Sequence, residues 1–225
     1  MTHRILPVAL LLLAACGGDS RTAEARPADT TGSAAPTAQQ PAPAASAPAW
    51  RTNPAGGVTI TQGEATVIET GPHTILWPEG AAELAPPYSV RASLRKRAGR
   101  LHEGYGLIFG GTSLEGGEAE QRYSYFLVRG DGSFLIKRRD GAQTPVVRDW
   151  TRDPDVARDA DGEGRYNDLE VRVGADSVRF LVNGGEVATV AASELSVRGR
   201  AGLRIAHDVV VEAQGFTAGP GTVAP

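Results

Sequence analysis

Apolar positions along the chain fall into three regimes. Ile5–Leu13 is a continuous apolar run behind a short positive start, Met1–Arg4. Gly17–Ala49 then holds no Val, Ile, Leu, Met or aromatic residue. From Trp50 to Phe216, short runs of β-branched and aromatic residues alternate with clusters of Gly, Asp, Asn and Pro, which is the rhythm of strands and turns. It predicts strands over Val58–Thr61, Ala65–Glu69, Thr74–Trp77, Tyr88–Lys96, Gly104–Phe109, Tyr123–Arg129, Phe134–Arg139, Thr144–Arg148, Asp168–Val173, Ser177–Val182, Glu186–Val190, Gly202–Ile205 and Val209–Gly215. No stretch sustains apolar residues at helical spacing. Ala191–Leu195 is the nearest helix candidate, and Pro154–Arg158 has the length of a single turn. Strands joined by turns without intervening helices predict an all-β sandwich or barrel.

Two hairpins are well signalled. Tyr125–Arg129 is followed by Gly130-Asp131-Gly132 and a returning Phe134–Lys137, with Asp131-Gly132 expected to supply the positive φ angles of the turn. Val178–Val182 turns at Asn183-Gly184 and returns as Glu186–Val190. Alternation along the first of these strands puts Val178, Phe180 and Val182 on one face, and Arg179 and Leu181 on the other.

Composition narrows the partners. The chain has 225 residues, 23 Lys plus Arg, 26 Asp plus Glu and a net charge of -3, its basic residues interspersed rather than massed. That excludes the basic stripe a nucleic-acid binder displays. A single cysteine excludes an intramolecular disulfide framework and any thiolate-rich zinc or iron–sulfur site.

The cysteine is Cys16, at the end of Leu13-Ala14-Ala15-Cys16. The run before it is too short to cross ~30 Å of hydrocarbon as a helix. Positive start, short apolar core and small-residue site together read as a signal peptide. The Leu-Ala-Ala-Cys ending resembles the lipobox of bacterial lipoproteins, whose cysteine is lipidated and becomes the mature N-terminus; the alternative is an ordinary signal peptide with a chance cysteine. The resemblance implies a diacylglycerol and usually a third acyl chain such as palmitate. At ~0.8 kcal/mol per buried methylene, two or three chains hold firmly where one is marginal. It therefore implies a cell-envelope protein anchored to a membrane without spanning it. Gly17, rather than Asp, follows the cysteine, which favours the outer membrane in a cell with two. Gly17–Ala49, rich in Ala, Pro, Thr and Ser, lacks the apolar surface to offset its ordering entropy and is expected to be a disordered tether. Its reach is roughly 30 Å as a flexible chain and about 100 Å as polyproline II. The expected organisation is a leader at 1–15, lipidated Cys16 and tether at 16–49, one β-domain at 50–218 and a disordered tail at 219–225.

Within the β-domain, several short elements occur in order. They are Tyr105-Gly106-Leu107-Ile108-Phe109, the Tyr123–Lys137 hairpin ending near Asp140-Gly141, Trp150, Asn167-Asp168-Leu169-Glu170-Val171, Val182-Asn183-Gly184, Gly199-Arg200-Ala201-Gly202-Leu203 and Gly215-Phe216. The succession resembles the concanavalin A-like lectin/glucanase superfamily, nearest its laminin-G-like and 3-keto-disaccharide-hydrolase-like members. It implies a jelly-roll sandwich of two curved antiparallel sheets, with any sugar held on the concave face or its rim loops.

The search for chemistry finds little that is catalytic. Laminarinase-type members carry Glu-x-Asp-x-x-Glu on one strand, so that two carboxylates stand about 5–5.5 Å apart, and no such string occurs here. Glu118-Ala119-Glu120 lies beside Gly116-Gly117 in a loop pattern. His102-Glu103 lacks the second zincin histidine, since Gly106 stands in its place, and Gly111–Glu115 lacks the closing glycine of a nucleophile elbow. His73, His102 and His207 stand apart in sequence, which predicts no joint site. Asp153, Asp155, Asp159, Asp161 and Glu163 offer hard oxygen ligands suited to calcium, although the register of an EF-hand fails because Ala157 takes the first ligand position. A solvated acidic loop neutralised by Arg152, Arg158 and Arg165 is the competing reading. No other cofactor is expected.

For carbohydrate the requirement is aromatic faces beside planar polar groups. Tyr105, Tyr123, Tyr125 and Trp150 supply the faces, and Arg129, Lys137 and Arg139 the donors. Tyr123, Tyr125 and Arg129 share one face of a strand, while Phe126 and Val128 form the better core face. Three functions are therefore carried forward. They are a non-catalytic binding module for a glycan or envelope protein, a hydrolase like the 3-keto-disaccharide relatives, and a structural or assembly partner in the envelope.

Overall fold

A computed structural model describes residues 48–53, 57–160 and 164–221. The leader, Cys16 and most of the expected tether lie outside the described residues. Numbering strands in chain order, one sheet has the spatial order β1 (Trp50–Thr52), β4 (Thr74–Pro78), β13 (Arg200–Ile205), β6 (Tyr105–Thr112), β7 (Arg122–Arg129), β8 (Ser133–Asp140) and β9 (Val146–Arg152). The other runs β12 (Gly185–Ala191), β11 (Ser177–Val182), β10 (Asn167–Val173), β5 (Tyr88–Ala98), β14 (Val210–Pro220), β3 (Thr66–Thr70) and β2 (Val58–Gln62). The ladders within both sheets are antiparallel. The chain changes sheet between β1 and β2, β3 and β4, β4 and β5, β5 and β6, β9 and β10, β12 and β13, and β13 and β14. The result is an all-β jelly-roll sandwich.

The expected strands are all present with shifted ends, and β1 is one the sequence pattern did not mark. Ala192–Glu194 forms a short 3-10 helix within the one expected helical stretch. β14 continues to Pro220, two residues beyond the expected end of the domain at 218.

The hairpin turns follow their residues. Asn183 and Gly184 both take positive φ, 51° and 88°, as a two-residue turn of mirror-image type requires. The other hairpin differs from expectation. Arg129 pairs with Ser133, so Gly130, Asp131 and Gly132 form a three-residue loop in which only Gly132 is left-handed, with φ 83°. Asp131 instead turns back on Arg129 and accepts its Nε hydrogen bond at 3.0 Å.

The core lies between the sheets. β10 places Leu169, Val171 and Val173 inward, and β11 adds Val178, Phe180 and Val182, in the expected alternation. From the facing sheet come Leu107, Phe109, Phe126, Val128, Phe134 and Ile136. Phe180 packs 6.0 Å from Phe109 and 5.2 Å from Phe126, centroid to centroid, which ties the sheets together. Each such ring contributes about 1.5–3 kcal/mol by leaving water.

The β5 alternation continues inward to Lys96, a charged residue at a core position. Its side chain is 4% exposed, and it is tolerated because its Nζ meets Asp159 at 3.0 Å and donates to the Arg100 and Leu101 carbonyls. Removing one partner leaves a buried charge uncompensated. Lys96→Met is therefore expected to lower unfolding stability by about 3 kcal/mol. The double variant Lys96→Met/Asp159→Leu should recover much of that loss in urea unfolding. Equal losses in the two variants would show that the pair itself does not hold the loop.

Candidate functional site on the outer face of the first sheet

The two outer faces differ in kind. On the β5–β10–β11 sheet, the arginines are all drawn into ion pairs: Arg91 and Arg172 share Glu170 at 2.7 and 2.6 Å, Arg179 meets Glu186 at 2.6 Å, and Arg95 and Arg97 share Glu212 at 2.9 and 3.5 Å. On the other sheet, the middle strands are buried on both sides, with all of β7 from Tyr123 to Val128 out of solvent. Ile75 and Trp77 of β4, Ile108 of β6, Tyr123, Tyr125 and Leu127 of β7, and Leu135 of β8 form a second apolar cluster. Leu114, from the loop after β6, and a half-buried Trp150 from β9 complete it.

Register arranges what stands on this floor. Tyr123 lies opposite Arg139, Tyr125 opposite Lys137 and Leu127 opposite Leu135, so a hydrophobic row grades into a cationic one along β8. Gly106 pairs with Arg204 on one side and Leu127 on the other. Having no side chain, it leaves Arg204 a path across β6. The Arg204 guanidinium sits 4.9 Å from the centre of the Tyr125 ring, and its Nη1 donates to the Tyr123 hydroxyl oxygen at 2.9 Å. Arg139 Nε donates to the same oxygen at 3.2 Å, so one phenol holds two guanidinium groups. Arg139 also meets Glu118 at 3.4 Å and donates to the Gly141 carbonyl. Arg129 lies 4.3 Å over the Trp150 ring and pairs with Asp131 at 2.9 Å.

Lys137 Nζ donates to Thr144 Oγ1 at 3.3 Å. Burial lowers the Lys137 pKa, and the Arg204 and Arg139 charges lower it further against a smaller opposing pull from Asp149. Burial raises the Tyr125 phenol pKa, with Arg204 opposing.

The sequence-derived site is thus largely brought together. Tyr123, Tyr125, Arg129, Lys137 and Trp150 share this face. The tyrosines form its floor rather than its open surface, at 1% and 4% exposure. Tyr105 does not join them. It alternates with Leu107 and Phe109 and points into the core between the sheets. Arg204 was not singled out in the sequence, and only the long-range β13–β6–β7 pairing reveals it.

Two histidines also converge, contrary to expectation. Thr74 pairs with Ile205, which brings His73 alongside His207; Nδ1 of His73 lies 3.2 Å from Nε2 of His207. His73 Nε2 meets Glu118 at 2.5 Å, and His207 Nδ1 faces Glu103 at 3.8 Å. Glu118 is therefore shared between His73 and Arg139.

Part of the acidic loop, Asp153 and Asp159, is engaged in structural contacts. Asp159 serves Lys96, Asp153 Oδ1 accepts the Asp155 backbone N–H at 2.9 Å, and the Asp155 carbonyl accepts from Asn183 Nδ2 at 2.7 Å. Asp161 lies outside the described residues. Among the described residues no group of three or more His, Cys, Asp or Glu is placed to hold a metal ion.

No protein-family profile and no curated protein sequence matches the chain. Solved structures do. The carbohydrate-binding module CBM66 from Bacillus subtilis is similar over 76% of this chain and 95% of its own, with a TM-score of 0.60 and 13% identity. A protein of unknown function with a galectin-like fold, also from Bacillus subtilis, gives a TM-score of 0.56 at 14% identity over 76% of this chain and 89% of its own. The metal-free carbohydrate recognition domain of Emp46p gives 0.56 at 12% over 77% and 89%. These likenesses establish the lectin-like β-sandwich fold, in keeping with the concanavalin A-like resemblance.

His73 makes the site sensitive to acid. Burial lowers its pKa below 6.5, and Arg204 and His207 add to this, together outweighing Glu118, which raises it. A base with a lowered folded-state pKa is protonated first in the unfolded chain, so its contribution is intact above about pH 6.5 and is lost as pH falls through the folded value. The urea midpoint is expected to fall between about pH 7.5 and about pH 5.5, and less steeply in His73→Gln. Identical slopes in both proteins would remove His73 from this role.

Proposed function

We propose that the chain is a membrane-anchored envelope lipoprotein whose sandwich is a non-catalytic glycan-binding module. Its contact surface is the outer face of the β6–β7–β8 sheet. The observation that carries this reading is the second aromatic and apolar cluster on that face, capped by hydrogen-bond donors, while on the opposite outer face the arginines all meet carboxylates. Aromatic faces beside planar donors are what a pyranose ring with its hydroxyls requires. Structures with this fold include a carbohydrate-binding module and a carbohydrate recognition domain, which supports the same reading. Glu118, a carboxylate beside the patch, is held by His73 and Arg139, and Asp131 by Arg129, which favours binding over acid–base turnover. The lipobox-like Leu13–Cys16 supports the anchored location.

Trp150 is the aromatic residue of the face with the most open surface. Trp150→Ala is expected to weaken retardation of the chain in polysaccharide-containing native gels by about ten-fold, because a buried aromatic anchor is worth more than ~1.4 kcal/mol. Unaltered mobility of the wild-type chain across a broad polysaccharide panel would sink the glycan reading. Cys16→Ser is expected to move the chain from the membrane fraction to the soluble fraction and to abolish palmitate labelling, since the acyl chains supply the membrane affinity. Continued membrane association would refute the anchor.

A further inference from the structure

We propose that this face recognises an anionic glycan, with Arg204 and Lys137 as the residues that receive its carboxylate or sulfate group. The inference rests on the glycan-binding reading and names the chemical class of the ligand.

Four cationic side chains crown the aromatic floor, and they are not equivalent. Arg129 is neutralised by Asp131, and Arg139 by Glu118. Arg204 and Lys137 have no ion-pair partner among the described residues. Arg204 donates only to the Tyr123 hydroxyl and Lys137 only to Thr144. Asp149 lies near Lys137, but its Oδ1 accepts the backbone N–H of Trp150 and it forms no ion pair with the lysine. Both cations converge on Tyr125, Lys137 as its cross-strand neighbour and Arg204 over its ring. Both are half-buried, so water screens them incompletely.

Like charges brought together over an apolar floor destabilise the free protein, and a fold does not gain from leaving them unmatched. The opposite sheet shows that this chain can meet its surface arginines with carboxylates. The polar inventory points the same way. Sugar hydroxyls both donate and accept, so a site for neutral sugar presents both kinds of group. Here Asp131 and Glu118 are occupied, the pull of Asp149 on Lys137 is smaller than the push of Arg204, and what predominates is charged donors. An acceptor-only group such as a uronate carboxylate or a sulfate ester matches a surplus of charged donors, and a guanidinium can engage it with two parallel bonds. Arg139 acts as a positioning residue, since it shares the Tyr123 oxygen with Arg204 and so fixes where that guanidinium lies.

The test is affinity electrophoresis of the full chain in polygalacturonate, chondroitin sulfate and dextran, with phosphatidylglycerol vesicles as a further arm using Cys16→Ser. Retardation by the uronate or the sulfated polymer but not by dextran is expected, and comparison of those two polymers tells carboxylate from sulfate. Arg204→Gln and Lys137→Gln should each weaken binding by about ten-fold or more and reduce its salt dependence. Arg91→Gln on the opposite sheet should leave it within about two-fold of wild type. Among the described residues the Lys137 ammonium hydrogen-bonds only to Thr144 and not to Tyr123, so its variant reports on binding even if Arg204→Gln disturbs the Tyr123 arrangement. Binding of dextran that survives both substitutions would keep the glycan reading and overturn the anionic one. Absence of binding to every polymer would overturn both. Equal losses in Arg91→Gln, or tighter retention on the vesicles than in any polymer, would also overturn the proposal.

Discussion

A sheet whose middle strands are apolar on both faces has to be covered on both faces, and this constraint organises the molecule. β6 and β7 meet it on one side in the ordinary way, by packing Leu107, Phe109, Phe126 and Val128 against the facing sheet. On the other side there is no third layer. The cover is made of Leu114, Trp150 and long basic side chains, with the Arg129 guanidinium over the Trp150 ring and that of Arg204 over Tyr125. A face covered in this way is cationic, because the groups that stack on its rings carry charge.

That arrangement determines how charge is shared. The Tyr123 oxygen accepts from Arg139 and Arg204, and Glu118 divides its carboxylate between Arg139 and His73. Arg204 in turn disfavours a proton on His73. Three strands, the residue before β4 and the loop after β6 are therefore linked through a short chain of charge-assisted contacts, in which displacement of one member is felt by the next. The opposite sheet has a network of its own, in which Glu212 meets Arg95 and Arg97 and accepts from the Tyr166 hydroxyl, but there each arginine ends on a carboxylate.

Much of this was legible from periodicity. Alternation placed Tyr123, Tyr125 and Arg129 together and set Phe126 and Val128 against them, and the structure follows that division. The same rule, applied to Tyr105, Leu107 and Phe109, would have assigned Tyr105 to the core; its hydroxyl drew attention that its parity did not support. Arg204 and the His73–His207 pair were beyond reach. They depend on β13 lying between β4 and β6, a pairing between segments far apart in sequence that no local pattern encodes. The Asp131 loop failed for a smaller reason: a Gly on either side of Asp131 allows a three-residue loop as readily as a two-residue turn.

The fold by itself does not choose a ligand. Sandwiches of this kind superpose at 12–14% identity, so what they hold in common is the position of a sheet face and not the groups upon it. Selectivity has to come from side chains that the scaffold does not require. Tyr123 and Tyr125 fail that criterion, since they fill the floor and would be needed to cover β7 whatever the ligand. Asp131 and Glu118 fail it too, because their charges are spent on Arg129 and on Arg139 with His73. Arg204 and Lys137 pass. Covering Tyr125 needs only apolar contact, which Leu or Met would supply without the cost of two adjacent charges. The charged ends are the part of this face that packing leaves unexplained, and so they are where we place its specificity.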